Sequence, residues 1–317
     1  MNRPAAGTAT AAVPANALAV GTACYLFASV FWGMNIPFTA VLFETFDPFF
    51  MAAVRVALAV LILGALAGAT LGWRAFGVPM PASRFALMTL AMAAFFVFYN
   101  LGLRYTNPIT AAAIMAGSPV YAAITVRLFT GAALEPGFRG AALLTIAGAG
   151  IAIYGRGTAA SEGLRLQGGE PLIVLSLVSW TVYSIYAQRW FETHVPQLQR
   201  TYVSMLGTTF WLALAWAIVY ALGMIEAPNL APDARAITFL LATAIFATAL
   251  GGVAWNIGVN RVGLIAGALW QNTVPVFGVL IAMLFGFIPT AAQILGGAVV
   301  IAGVLYMQWR KFQYARR

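Results

Sequence analysis

The sequence predicts an all-α membrane protein in which ten transmembrane helices form two inverted five-helix repeats around a central cavity. Two observations lead to this prediction. The 317 residues are 62% apolar and only 8% charged, and their mean hydropathy is +0.89, values outside the range of soluble domains. The pair Trp32 and Pro48 also recurs 148 residues later as Trp180 and Pro196, which indicates two related halves. Each half holds five apolar stretches, and an odd number of crossings makes the second half enter the membrane from the opposite side.

A second correspondence supports the two related halves. At a spacing of 156 residues, Asn100 and Pro119 match Asn256 and Pro275.

Apolar runs of bilayer-spanning length occur in both halves. About 20 residues are needed to cross a bilayer as a helix. Spans of this kind are predicted near 20–41, 48–71, 84–104, 108–130, 139–155, 170–190, 199–224, 236–258, 263–287 and 290–309.

The ends of these runs define the domain boundaries. The first five-helix repeat is predicted to span 20–156 and the second 170–310, joined by an inter-repeat loop over 157–169. Residues 1–19 are rich in Ala, Thr and Pro and lack an apolar run, which is typical of a disordered tail. Residues 311–317 form a short basic tail. No cleaved signal peptide is predicted, because the first apolar run is too long for a signal core.

Prolines indicate where helices begin or bend. Four of them stand in predicted first turns, where proline has no helical hydrogen bond to lose: Pro48, Pro108, Pro171 and Pro289. Pro37, Pro119 and Pro275 lie deeper in their spans, and each frees a backbone carbonyl within the membrane. Such a carbonyl is either part of a kink that improves packing or a group available to a ligand, and both interpretations stay open.

The basic residues predict the orientation in the membrane. With the N-terminus in the cytoplasm, twelve Lys and Arg residues fall inside and four outside, and such an excess marks the cytoplasmic side. We therefore expect a multi-pass protein of the bacterial inner (plasma) membrane with both termini in the cytoplasm. The net charge of +9 does not indicate nucleic-acid binding, because the basic residues lack an aromatic and basic face.

Few residues could support catalysis. The chain has one cysteine, Cys24, and one histidine, His194, whereas catalysis within a membrane needs a nucleophile with a base or a cluster of metal ligands. The sequence also contains no phosphate-binding loop of the G-x-x-x-x-G-K-[ST] type. We therefore expect no enzyme activity, no metal and no cofactor.

Charged side chains are almost absent from the predicted spans. All eight Asp and Glu residues fall at helix ends or in loops, whereas exchange of a proton for a cationic substrate needs a buried carboxylate. Arg55 is the one charge inside a span. We expect it to snorkel outward or to pair with Glu44 or Asp47. The alternative is that it guides a substrate carboxylate.

Neutral polar and aromatic side chains at helical spacing mark the candidate binding site. An amide side chain both donates and accepts hydrogen bonds, so it can hold a carboxylate or an ammonium group, and aromatic faces attract an ammonium group. Trp and Tyr also form interfacial belts, and Asn also joins helices, so these structural roles remain open. The candidate substrate-binding residues are Trp32, Asn35, Tyr99, Asn100, Ser118, Trp180, Tyr183, Trp255, Asn256, Trp270 and Gln271.

The first half contains Phe31-Trp32-Gly33, Pro48 before Arg55, Tyr99 to Thr106 leading into Pro108, and Pro119. Together with ten predicted helices in two five-helix halves, these motifs resemble a known family, the EamA type of the drug/metabolite transporter (DMT) superfamily. The resemblance covers residues 20–310 and implies a ten-helix basket with a central cavity. Within the superfamily the chain is similar to aromatic amino-acid exporters of the YddG kind, which implies export of aromatic and other neutral amino acids.

These patterns and the resemblance together predict a transporter that exports neutral, aromatic or large apolar amino acids by alternating access through a central uncharged cavity. Its partners would be a zwitterionic amino acid and membrane lipids, and the sequence leaves the oligomeric state open, a monomer being compatible with it. Without a buried acid, we expect movement down the substrate gradient. One alternative is an exporter of drugs or other lipophilic metabolites. Another is a non-transporting membrane scaffold or lipid-handling subunit.

Overall fold

The computed structural model describes residues 15–134, 136–154, 167–262, 270–271 and 273–315. Over these residues the regular structure is helical, without β-strands. The helices are α1 (Ala15–Leu42), α2 (Pro48–Leu71), α3 (Ala82–Arg104), α4 (Pro108–Ala116), α5 (Ser118–Thr130), α6 (Phe138–Tyr154), α7 (Glu170–Trp190), α8 (Gln197–Ala221), α9 (Ala234–Val262), α10 (Val274–Leu284) and α11 (Ala291–Ala315). A 3₁₀ turn, Trp73–Phe76, follows α2, and α9 contains a π-helical segment, Thr243–Leu250.

Most of these helices have the length and composition of membrane spans. Seven qualify alone, namely α1, α2, α3, α7, α8, α9 and α11, and α4 with α5 qualifies as a pair bent by 54°. The helices α6 and α10 are apolar but shorter. The chain is thus an all-helical, multi-pass membrane protein. The total of ten spans stays a prediction, because 155–166 and 263–269 lie outside the described residues.

The predicted tails and loop fall partly outside the described residues. Residues 1–14 of the predicted disordered tail are not described, but α1 already begins at Ala15, because its first residues are mostly Ala and Leu, which favour helix. At the other end, α11 continues to Ala315 and so includes much of the predicted basic tail. Most of the inter-repeat loop predicted over 157–169 lies outside the described residues.

Prolines and a capping acid fix where helices begin. Asp47 caps α2 by accepting hydrogen bonds from two backbone N–H groups at 2.8 and 3.0 Å, and Pro48 occupies the first turn. The cap satisfies N–H groups that have no partner within the helix. Pro108 and Pro171 take the same position in α4 and α7, as predicted, whereas Pro289 precedes α11.

Pro119 and Pro275 stand at helix starts rather than inside continuous spans. The single span predicted over 108–130 is broken, because α5 begins at Ser118 with Pro119 in its first turn. Proline cannot donate the backbone hydrogen bond that would continue α4. Pro275 lies in the first turn of α10, so the two repeat-matched prolines have the same structural role. Pro37, in contrast, lies inside α1.

The helices pack in pairs, namely α1 with α9, α2 with α8, α3 with α7 and α6 with α11. Between α2, α3 and α8 lies a core that includes Leu63, Met88 and Val203. The contact of α6 with α11 is close enough to bring backbones together, since a Cβ added to Gly148 would lie 2.5 Å from the carbonyl oxygen of Gly296. Small residues permit such approach between membrane helices.

The close contact of α6 with α11 predicts a position-specific loss of stability. We expect Gly148→Ala to lower the melting temperature, because the added methyl group must displace backbone, and overpacking of this kind costs about 1–3 kcal/mol. The matched control is Gly150→Ala on the same helix, where nothing lies within 4 Å of an added Cβ. Thermal unfolding in detergent measures both variants, and equal melting temperatures would contradict the packing of α6 against α11.

Candidate functional site

A fully buried guanidinium lies between three helices. Arg55 of α2 has 0% exposure, and its Nη1 donates to Asn35 Oδ1 (3.0 Å) and Thr39 Oγ1 (2.9 Å) of α1. Its Nη2 donates to Asn100 Oδ1 of α3 at 3.3 Å. The guanidinium carbon lies 5.5 Å from the centre of the Phe96 ring. The charge is therefore solvated by neutral oxygens and an aromatic face.

This position corrects the prediction for Arg55. Snorkelling outward is wrong, because the side chain is wholly enclosed, and pairing with the two nearby acids is also wrong. Asp47 instead caps α2, and Glu44 is exposed, with its nearest described partner, Arg235, at 4.0 Å. Arg55 lies on the buried side of α2, where its guanidinium meets acceptors on α1 and α3. The charge of Arg55, which was set apart from the neutral candidates on sequence grounds, thus lies beside two of them, Asn35 and Asn100.

The acceptors around Arg55 are themselves held in place. Asn35 and Thr39 stand four residues apart and so share one face of α1, and the Thr39 hydroxyl donates to Asn35 Oδ1 at 3.4 Å. Asn35 Nδ2 donates to the Tyr99 hydroxyl oxygen at 3.4 Å, and Asn100 Nδ2 donates to a backbone carbonyl of α2 at 3.3 Å. Both amides therefore turn their oxygens toward the guanidinium. We call Arg55, Asn35, Thr39, Tyr99 and Asn100 the arginine cluster.

Aromatic side chains from both halves meet beside this group. Trp32 lies with its ring centre 5.2 Å from that of Trp255 and 6.2 Å from that of Trp180. Its indole Nε1 donates to the Ala247 carbonyl oxygen, in the π-helical segment of α9, at 3.0 Å. Such segments often occur at functional sites. The three tryptophans are half-buried, and we call them the aromatic cluster.

Phe95 joins the aromatic and arginine clusters into one candidate site. Phe95 of α3 has its ring centre 5.3 Å from Trp180 and 5.8 Å from Tyr99, and it stacks on the latter ring. On α1, Asn35 lies one turn from Trp32, on the same side of the helix. The site therefore combines a polar, positively charged end with an apolar, aromatic end.

In the second half, the candidates that correspond to Asn35 and Asn100 form hydrogen bonds with hydroxyl groups. The Tyr183 hydroxyl donates to Ser204 Oγ at 3.2 Å, and Asn256 Nδ2 donates to Thr201 Oγ1 at 2.6 Å. In the repeat, Tyr183 matches Asn35 and Asn256 matches Asn100. The corresponding contacts of the first half go to Arg55, so the two halves have related hydrogen bonds but differ in charge.

The remaining candidates, Ser118, Trp270 and Gln271, belong to neither cluster. The Trp270 carbonyl oxygen accepts a hydrogen bond from Ser29 of α1 at 3.0 Å, and Gln271 beside it is half-buried. Ser118 opens α5 after the break. Over the described part of the chain, neither Ser118 nor Gln271 forms a side-chain hydrogen bond with another candidate.

Sequence reasoning missed Phe95, Phe96 and the central position of Arg55. The phenylalanines carry no distinguishing signal, since aromatic residues are common on lipid-facing and packed surfaces alike. Arg55 did have a signal, because Asn35 and Asn100 offer acceptors on the flanking helices. No cluster of three metal-ligating side chains occurs within the described ranges.

Comparison with known proteins identifies related transporters. The profile of the EamA-like transporter family matches residues 19–154 and 167–309. Uncharacterized transporter YyaM of Bacillus subtilis is 26% identical over 70% of this chain and 72% of its own length. Uncharacterized transporter YrdR of the same organism is 24% identical over 91% of each chain. A Streptantibioticus cattleyicolor protein named "Probable terminal-alkyne amino-acid exporter" is 26% identical over 69% of this chain and 70% of its own length.

A solved structure has the same fold. A protein of known crystal structure superposes with a TM-score of 0.66, covering 94% of this chain and 98% of that chain, at 19% identity.

The arginine cluster predicts unequal effects for the two repeat-matched asparagines. Asn100→Ala removes an acceptor from a buried charge, and we expect it to cost about 1.5–3 kcal/mol. Asn256→Ala removes a neutral interhelical hydrogen bond, which is worth about 0.6 kcal/mol on average. Thermal unfolding of the purified variants should therefore show the larger drop for Asn100→Ala, and the reverse order would contradict the assignment of Asn100 to Arg55.

Proposed function

Because this chain belongs to the EamA-like transporter family, we propose that it exports neutral amino acids, aromatic or large apolar ones, across the bacterial inner membrane. The family is one of transporters and not of enzymes. The substrate class is supported by a distant relative whose name describes an amino-acid exporter.

The main support for the proposed substrate is that the aromatic cluster adjoins the arginine cluster. An amino acid with a large apolar side chain has a polar, charged end and an apolar body. The tryptophan faces suit the body, and the amides and the guanidinium suit the charged end. Among the alternative cargoes, drugs and other lipophilic metabolites, a lipophilic cation would meet the like charge of Arg55 and is disfavoured.

The proposed fold is a pair of inverted five-helix repeats, 20–156 and 170–310, around the passage. Two contacts related by the repeat spacings support it. A Cβ added to Gly102 of α3 would lie 2.9 Å from the backbone nitrogen of Ile173 of α7. A Cβ added to Gly258 of α9 would lie 2.6 Å from Tyr25 of α1. Gly258 follows Gly102 by 156 residues and Ile173 follows Tyr25 by 148, so the helix crossings correspond.

These two crossings suggest how access alternates in the proposed mechanism. With both termini cytoplasmic, the crossing of α3 with α7 lies toward the outer face and the crossing of α1 with α9 toward the inner face. Separation of one pair while the other stays packed would open the site to one side only. We propose that substrate then moves down its gradient, because the described acids lie at helix ends or in loops rather than within the site.

The aromatic cluster predicts a specific loss of export. In cells loaded with a phenylalanyl dipeptide, we expect Trp32→Ala to slow phenylalanine efflux roughly three- to tenfold, since it removes aromatic contacts and an indole hydrogen bond. Trp73→Ala, at a side chain that is 89% exposed outside the site, is the control. Efflux of labelled phenylalanine is measured at matched membrane abundance. Wild-type efflux in Trp32→Ala would remove Trp32 from the binding site.

The inverted repeat predicts the location of both termini. In a Cys24→Ser background, Thr8→Cys and Gln313→Cys should react with a membrane-impermeant maleimide only after the cells are permeabilised. Tyr105→Cys, between α3 and α4 at a side chain that is 55% exposed, should react in intact cells. Labelling of one terminus alone in intact cells would contradict two five-span halves.

A further inference from the structure

We propose that Arg55 binds the carboxylate of the substrate, so that the carboxylate is the required recognition group and the ammonium group is dispensable. The inference rests on the proposed function, because it concerns the same site. It extends the ligand class to monocarboxylates that carry an aromatic or large apolar group, whether or not they have an amine.

The charge of Arg55 has no acidic partner among the residues that the structure describes. The described acids interact elsewhere or are exposed at helix ends and in loops: Glu44, Asp47, Glu170, Glu192, Glu226 and Asp233. A charge buried within a membrane protein is costly unless it is compensated. Neutral dipoles compensate Arg55 only in part, and an anionic ligand supplies the missing opposite charge.

The guanidinium also keeps donors free. Its Nε is buried and has no hydrogen-bond partner among the described residues. Nη2 has two N–H groups, and one acceptor, Asn100 Oδ1, is present in the described structure. Nε and Nη2 form one edge of the planar group, and two parallel N–H donors on one edge match the two oxygens of a carboxylate. Asn35 and Thr39 hold Nη1, and Asn100 accepts from one N–H of Nη2. The guanidinium is therefore oriented before ligand arrives, while Nε and the second N–H of Nη2 remain for the carboxylate.

The surroundings of Arg55 fit the rest of such a ligand. Tyr99 is next to Asn35 in the arginine cluster, and Phe95 connects it to Trp180. A carboxylate on Arg55 therefore leaves the apolar body beside aromatic rings. An ammonium group finds aromatic faces there but no carboxylate of the described residues, so it gains only cation–π contact.

The ligand reaches this group only when the helices move. Arg55 is 0% exposed, with Asn35 of α1 and Asn100 of α3 against it. Helix α1 packs on α9 and helix α3 on α7, which are the two crossings assigned to alternating access. Binding at Arg55 is therefore linked to the opening of one crossing.

A ligand panel on the wild-type protein tests the proposal. The probes are L-phenylalanine, 3-phenylpropionate, which lacks the amine, and L-phenylalaninamide, which lacks the carboxylate. We expect 3-phenylpropionate to bind within about fivefold of phenylalanine and the amide at least about tenfold more weakly, since a charge-assisted bidentate pair is lost. Thermal stabilisation of purified protein and competition in proteoliposome counterflow provide the two readouts.

Variants assign the discrimination to Arg55. Arg55→Gln should bind acid and amide alike, and Arg55→Lys should keep a weakened preference for the acid, because it retains the charge but not the planar fork. Arg127→Gln, an exposed arginine that bonds a nearby backbone carbonyl, should discriminate like the wild type. If Arg55→Gln does not fold, the comparison of the three ligands on the wild-type protein still tests the proposal.

The outcomes separate this inference from the proposed function. If phenylalanine is transported and the amide competes as well as the acid, the carboxylate site is wrong and the export function stands. If 3-phenylpropionate stabilises the protein but phenylalanine is neither bound nor moved, the carboxylate site stands and the proposed substrate is wrong. Preference for the amide over the acid overturns the inference in either case.

Discussion

The structure around the candidate site depends on one constraint, the placement of a buried guanidinium where no described carboxylate meets it. In a medium of low dielectric constant, such a charge must be surrounded by well-oriented dipoles. Asn35, Thr39 and Asn100 provide them from the two helices that flank α2. The interhelical arrangement of α1, α2 and α3 is therefore tied to the position of Arg55, and the hydrogen bonds of Asn35 to Tyr99 and of Asn100 to α2 extend that order outward.

The two halves share geometry but not charge. Asn256 repeats the role of Asn100 in joining α9 to α8, yet its partner is the Thr201 hydroxyl where the first half has a guanidinium. The aromatic cluster consists of Trp32 from the first half and of Trp180 and Trp255 from the second. The proposed passage between the halves would therefore be asymmetric, with a positive end on one side and aromatic rings at the junction. That asymmetry suits a molecule with one anionic end and an apolar body.

The sequence predicted the helices better than the site. Apolar runs and first-turn prolines located most helices, because span length and the missing proline N–H act locally. The break before Ser118 was missed, since the apolar run continues across it. The surroundings of Arg55 were mispredicted, because the position of a residue along α2 does not show which neighbouring helices its side chain contacts. Trp32 and Trp180 correspond in the repeat and Trp255 is the neighbour of Asn256 in the sequence, but the mutual contacts of the three tryptophans and the link through Phe95 depend on helix packing.

A cryo-electron microscopy structure of the protein in a lipid nanodisc with L-phenylalanine bound would show whether Arg55 binds the substrate carboxylate. We expect both carboxylate oxygens within hydrogen-bond distance of Nε and Nη2 of Arg55, with the phenyl ring against Trp180 and Trp32. A bound amino acid whose carboxylate lies away from Arg55, with the guanidinium still contacting only Asn35, Thr39 and Asn100, would contradict this assignment.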